Sequence, residues 1–289
     1  MTSFECHGHI VLDGNDYRKA MALHRTGLDR NVIRRRLEEC SEQGIRFYRD
    51  GGDCVGASEY AAGIGPKFDI DYRTPIFAIH KKEHYGGMFG RSFDRFSEYE
   101  QLVHEVKERG GHFIKIMVSG IMDFNHYGEL SGGTLERHLI QDMVAAAHET
   151  GYAVMAHVNT AEQIAWALEA GADSIEHGYY MDVRCLELLK KTGAVWVPTF
   201  APVENARKSG LFSDMVLGQI LKLHRENLQK AVEKDILIAC GSDAGSFMVP
   251  PAEGCSIEKA YLEQAAGPKL AEKLRELMKQ GNEKIRERF

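Results

Sequence analysis

The chain has 289 residues, 44% apolar and 27% charged, with 29 glycines and 7 prolines, which is the make-up of a folded globular protein and excludes a low-complexity chain. A formal charge of −6 gives no general basic footprint for nucleic acid, and no window reaches the ~18 uninterrupted apolar residues of a membrane span. The N-terminal "MTSFECHGHIVLDG" has no basic region followed by a long apolar run, so a cytoplasmic location is expected; the six cysteines (Cys6, Cys40, Cys54, Cys185, Cys240, Cys255) form no C-x-x-C pair and read as reduced thiols in or near the core.

The first strand-like run is "FECHGHIVL" (4–12). Its His7 and His9 are two apart, so on a strand they share a side, a natural two-imidazole clamp. Arg34, Arg35 and Arg36 follow on an expected helix and read as a solvated face. The second and third strands are "GIRFYRD" (44–50) and "PIFAIH" (75–80). Each is followed by a glycine-rich stretch, 51–73 and 81–96, that reads as a wall of an active site. The fourth, "HFIKIMVS" (112–119), buries Lys115 in an apolar run, where an unpaired ammonium would be costly.

Leu135, Leu139, Met143 and Ala147 recur at helical spacing and stop before Gly151, the start of the fifth strand "YAVMAH" (152–157). Thr160 with Gln163 predicts a capping box opening the next helix. The sixth strand is "DSIEH" (173–177) and the seventh "AVWVPT" (194–199). A helix carrying Leu217, Leu221, Leu228 and Val232 on one face leads to the eighth, "DILIACGSD" (235–243). A charged helical segment from about 256 follows, with Leu270, Leu274 and Leu277 at helical spacing, and is expected to cover the barrel. His24, His104, His138, His148 and His224 fall on expected helices and read as surface residues. Eight βα units in a chain of this length specify an α/β fold, a (β/α)₈ TIM barrel, as a single domain over residues 1–289.

Barrel active sites lie at the C-terminal strand ends, and there His7, His9, Lys115, His157, His177 and Asp243 collect. An imidazole-and-carboxylate set suits a borderline divalent cation, zinc first, with manganese, iron or cobalt as alternatives. Four imidazoles and a carboxylate exceed one tetrahedral site. They call for two ions, or for one ion with the remaining histidines acting on substrate. Lys115 favours two: facing a dry, electropositive cavity it tends to the neutral amine, which can add carbon dioxide to give a carbamate with two oxygens, one for each ion.

The motifs "CHGHI", "FIKIMVSG", "IEHG", "VPTF" and "GSDAG" together resemble the metal-dependent amidohydrolase superfamily, closest to its Xaa-Pro dipeptidase and imidazolonepropionase-like branch. The resemblance implies that His7, His9 and Asp243 hold the more buried ion and His157 with His177 the more exposed one. Lys115, as N6-carboxylysine, would bridge them. It also implies hydrolysis of an amide or peptide C–N bond by a metal-bridging hydroxide, with Asp243 as ligand and base. The small β-sandwich of many members is expected to be missing. Substrate-binding candidates come from the mouth loops: Asn159, Tyr179, Tyr180, His126, Tyr127, His84, Arg91 and Arg184. Arg91 or Arg184 could take the carboxylate of a dipeptide or N-acyl amino acid. The same barrel also serves cyclic-amide hydrolases, deaminases and lactone or organophosphate ester hydrolases, whereas a non-catalytic scaffold would need neither Asp243 nor Lys115. A small-molecule substrate is expected, with neither nucleic acid nor membrane as partner, and the sequence is compatible with a homo-oligomer.

Overall fold

A computed structural model describes residues 3–289. The strands in chain order are β1 (Ser3–Gly8), β2 (Ile45–Asp50), β3 (Asp71–Arg73), β4 (Ala78–Lys81), β5 (Gly90–Phe93) and β6 (Ile114–Met117). Then come β7 (Ile121–Met122), β8 (Leu130–Ser131), β9 (Val154–Thr160), β10 (Ser174–Tyr180) and β11 (Val195–Val197). Apart from the antiparallel pair β7–β8, every pairing is parallel, in the orders β1-β2-β3 and β11-β10-β9-β6-β4-β5. Residues 236–244 close one side through bridges Trp196–Ile238 and Gly8–Ala244. The other side is closed by one barrel position split in two, β3 pairing with β2 and β4 with β6. Eight positions result, as the βα count predicts.

Two of those positions differ from the expected strands. The run at 75–80 is not one strand, because Ile76 takes a left-handed φ of 67° and breaks the ladder between β3 and β4. Residues 235–243 form bridges rather than a regular strand. Two of their ladder donors are diverted to side chains: the Cys240 N–H goes to Asn282 Oδ1 (2.9 Å) and the Ser242 N–H to Glu5 Oε1 (2.8 Å).

The helices pack by apolar stripes. Arg137–Glu149 buries Ile140, Met143, Val144 and Ala147 toward the sheet. Gly171 and Gly193 end their helices with φ of 98° and 70°, a left-handed conformation that glycine adopts without strain. At Thr160 the capping box does not form, because the hydroxyl donates to Gln163 Oε1 rather than serving the backbone. The arginine triplet is not a solvated face throughout. Arg36 falls on the buried stripe Ile33, Leu37 and Cys40, and its guanidinium donates to the Ile10 carbonyl at 2.6 Å. Of the five helix-region histidines, His104 and His138 are exposed, but His24 and His224 are buried and His148 is half-buried against Asp173. His224 sits among Tyr179, Trp196 and Phe200, and burial pushes its pKa down to about 3. Cys54 is exposed; the other five thiols are buried.

The chain then runs through helices Gly254–Ala266 and Ala271–Arg288. The second helix closes the N-terminal end of the barrel. It buries Leu274, Leu277, Met278 and Ile285, and Gly281 passes so close to the Ile238 backbone that a Cβ there would lie 2.6 Å from its carbonyl carbon. Phe289 completes the floor, edge-on to Phe113 at 5.3 Å and under the Arg49 guanidinium at 4.4 Å. Truncating this buried ring, Phe289→Ala, should destabilise the fold by about 3–5 kcal/mol, measurable by urea denaturation. No helix among the described residues is long and apolar enough to cross a membrane.

Candidate metal centre

His7 ends β1 fully buried, its Nδ1–H donating to Glu176 Oε2 at 2.6 Å, which leaves Nε2 turned toward the cavity. Glu176, on β10, is held by the Ser174 hydroxyl and by Arg49 Nη2 at 2.8 Å. Arg49, on β2, also donates to the Cys6 carbonyl (2.7 Å) and Ser174 Oγ (2.9 Å), so its charge is fully hydrogen-bonded inside the barrel.

His9 lies just past β1 and stacks on Phe89 at 4.6 Å. Its Nε2 is 3.3 Å from Asp243 Oδ1. Asp243 adopts φ 59° and its N–H donates to the His7 carbonyl at 2.7 Å, which aims the carboxylate back at the two imidazoles. One donor atom from each of His7, His9 and Asp243 lies within 4.8 Å of the others.

Lys115 rises from β6, 2% exposed, with Nζ 3.2 Å from His7 Nε2. Gly51 makes that approach feasible. A Cβ at Gly51 would stand 2.6 Å from Lys115 Nζ and 2.8 Å from His9 Nδ1. Burial lowers the Lys115 pKa, opposed by the negative charges of Asp243, Glu176 and Asp50.

His157 on β9 and His177 on β10 meet edge to face at 4.6 Å, and His177 lies 4.9 Å from His7. The Thr199 hydroxyl donates to the Pro198 carbonyl (2.7 Å) and so accepts from His177 Nδ1–H at 2.7 Å, freeing the other ring nitrogen. Burial holds the pKa of His7 and His157 well below the usual histidine range and that of His177 down to about 3. Burial acts to raise the Asp243 pKa, but its hydrogen bond with His9 and the nearby His7, His9 and His177 outweigh it and keep the carboxyl well below the usual range. Imidazoles beside a carboxylate are the donor set of a divalent cation, and the buried His9 Nδ1 has no partner among the described residues. The residues present fit a metal.

A cavity of about 290 Å³ opens above this cluster, and Asn159 and Tyr179 line it. The other six substrate candidates do not. Tyr180 is spent accepting the Gly128 N–H and packing against Tyr127, which is itself exposed. His126 is exposed beside Asp123, and His84 lies in a separate polar recess with Lys81, Lys82 and Asp94. Arg91 pairs with Glu105 at 2.8 Å. Arg184 pairs with Glu169 at 2.6 Å on the outer helices, because its position on helix Val183–Thr192 faces away from the mouth.

Glu176, Arg49, Gly51 and Thr199, and the walls Tyr85, Met88, Phe89 and Phe247, carry no local sequence pattern that marks them as site residues. Glu176 precedes His177, and strict strand alternation would send the two to opposite faces. The left-handed φ of 67° at His177 breaks that alternation, so both approach His7.

A parallel barrel that brings His7, His9 and Asp243 together, each offering a donor atom within 4.8 Å of the others, places a candidate metal site where barrel enzymes carry their chemistry. Residues 28–283 match the sequence profile of the Amidohydrolase family, and the chain belongs to that family. It is 26% identical over 275 residues to an ochratoxinase of Aspergillus niger, covering 83% of this chain. The alignment takes in 56% of that relative, so the chain spans about half the length of the curated relatives it matches. Among solved structures, a Xaa-Pro dipeptidase with methionine bound in its active site superposes with a TM-score of 0.76 at 20% identity, over 99% of this chain and 75% of that one. The A. niger ochratoxinase structure gives 0.76 at 22% identity, over 94% and 68%. These likenesses agree with the TIM-barrel fold.

Proposed function

We propose that the cluster holds two divalent ions, zinc first, and that the protein hydrolyses an amide or peptide C–N bond of a small substrate. The observation that carries this reading is the convergence of His7, His9 and Asp243 within 4.8 Å, with Lys115 Nζ 3.2 Å from His7. A dipeptidase cleaves a peptide C–N bond, so the likeness to one supports that bond type. His7, His9 and Asp243 would hold one ion and His157 with His177 the other.

Lys115, its ammonium disfavoured by burial, would add carbon dioxide at Nζ, forming an N–C bond and releasing a proton, to give the anionic N6-carboxylysine between the two. Bound divalent cations polarise a carbonyl and acidify water. Asp243 would accept the proton of the attacking water on its carboxylate and return it to the leaving nitrogen. Glu176 keeps the His7 proton on Nδ1, and the walls around the cluster are largely apolar.

Elemental analysis of the purified protein should find about two ions per chain. Chelation should lower activity on amide substrates to background, and added zinc should restore it. One ion at full activity rejects the lysine bridge; turnover of lactones with amides inert rejects C–N cleavage.

A further inference from the structure

Charge is confined to the floor of the cavity. Among its lining side chains the only amine is Lys115 and the only carboxylate is Asp243, both beside His7. Above them the walls are apolar: Met88, Phe89, Met117, Met122, Phe124 and Phe247. Polar groups away from the floor are neutral, among them Asn15, Tyr17 and Ser246. The apolar surface continues outward. Phe212 packs edge-on against Phe124 at 5.2 Å and Phe247 at 6.1 Å, and its neighbours Leu211 and Met215 stand exposed at 68% and 71%. Among the described residues no arginine lines the cavity. Arg91 and Arg184, which could have read a substrate carboxylate, are engaged by Glu105 and Glu169.

We propose that the substrate is an uncharged amide with an apolar or aromatic acyl portion and no free carboxylate on either side of the scissile bond, a specificity that rests on the hydrolase reading above. A charge brought into these walls would lose water and find no partner, which disfavours both anionic and cationic groups. A ring would pack on Phe89, Phe124 and Phe247, and the three methionines, flexible and polarisable, would adapt to its outline. Dipeptides and N-acyl amino acids, whose recognition needs a fixed cation, are thereby disfavoured.

The test uses the metal-loaded protein and three anilides with the same scissile bond: 4-methyl-, 4-carboxy- and 4-(aminomethyl)-phenylacetyl anilide. The variable charge lies on the acyl ring, away from the reacting carbonyl. Both kcat/KM and the Kd from calorimetric titration are measured. The methyl compound should exceed both charged ones by about tenfold or more, expressed in KM and Kd. Phe247→Arg, at the half-exposed rim, should raise the carboxylate compound several-fold relative to the methyl compound. Equal or better binding of the carboxylate compound by the unaltered protein overturns the proposal. Binding in the expected order with no turnover supports the specificity and rejects the hydrolytic reading instead.

Discussion

Asp243→Asn should lower kcat by about 10²–10⁴-fold while leaving the barrel folded. The substitution is nearly isosteric. The backbone N–H that sets the left-handed turn still donates to the His7 carbonyl, and Oδ1 remains as a neutral acceptor near His9 Nε2. What disappears is the negative charge, and with it the capacity to take a proton. In the native chain that charge is secured by the imidazoles around it, against the pull of burial toward the neutral acid. Steady-state kinetics would be read beside metal content and thermal unfolding. The expected pattern is low kcat, reduced but measurable metal, and a midpoint within a few degrees of the parent. His9→Asn offers a contrast: it removes a metal-ligand candidate that moves no proton, so its activity should recover when excess metal is supplied. Asp243→Asn should not recover. Near-native kcat in Asp243→Asn, with metal bound, would take the carboxylate out of the proton path.

The polar cluster was legible because its members interrupt or end apolar strand-like runs, where a titratable side chain has no structural reason to be. His7, Lys115, His157 and His177 come from four parallel strands, and strand periodicity with barrel geometry brings their ends together. Less legible were features set by single backbone torsions or by distant partners. The turn at Ile76 moved the third strand, and the amides lent to Asn282 and Glu5 thinned the eighth. Arg184 looked like a mouth residue because it follows "IEHGYYMD". Seven residues past His177 it already stands on the outer helix, paired with Glu169 on the helix before it. Arg36 and His224 were misplaced for a different reason. A polar residue on a buried stripe has the same local pattern as one on an exposed edge until its partner, the Ile10 or Pro198 carbonyl, is known.

Arg49 is the clearest of these non-local residues, and Arg49→Met should destabilise the protein by about 3–5 kcal/mol. In "GIRFYRD" it passes for an ordinary strand-end arginine. In the fold it is fully buried, bonds to the Cys6 carbonyl, Ser174 Oγ and Glu176 Oε1, and stacks on Phe289 at 4.4 Å. Methionine would fill most of the volume but leave the Glu176 carboxylate buried without its cation, and that uncompensated charge sets the size of the effect. Glu176→Gln in the same chain should therefore recover part of the loss, giving a favourable coupling between the two sites in urea denaturation. Metal affinity separates this floor role from simple stability. Glu176 also holds the His7 Nδ1 proton at 2.6 Å, so Glu176→Gln, whose amide group would face Arg49 or the imidazole, should weaken metal binding by about 10–100-fold. Competition with a chromophoric chelator reads that change directly, independent of turnover. Unchanged metal affinity in Glu176→Gln, together with a cost below about 1 kcal/mol for Arg49→Met, would show that the buried pair neither aligns His7 nor supports the floor.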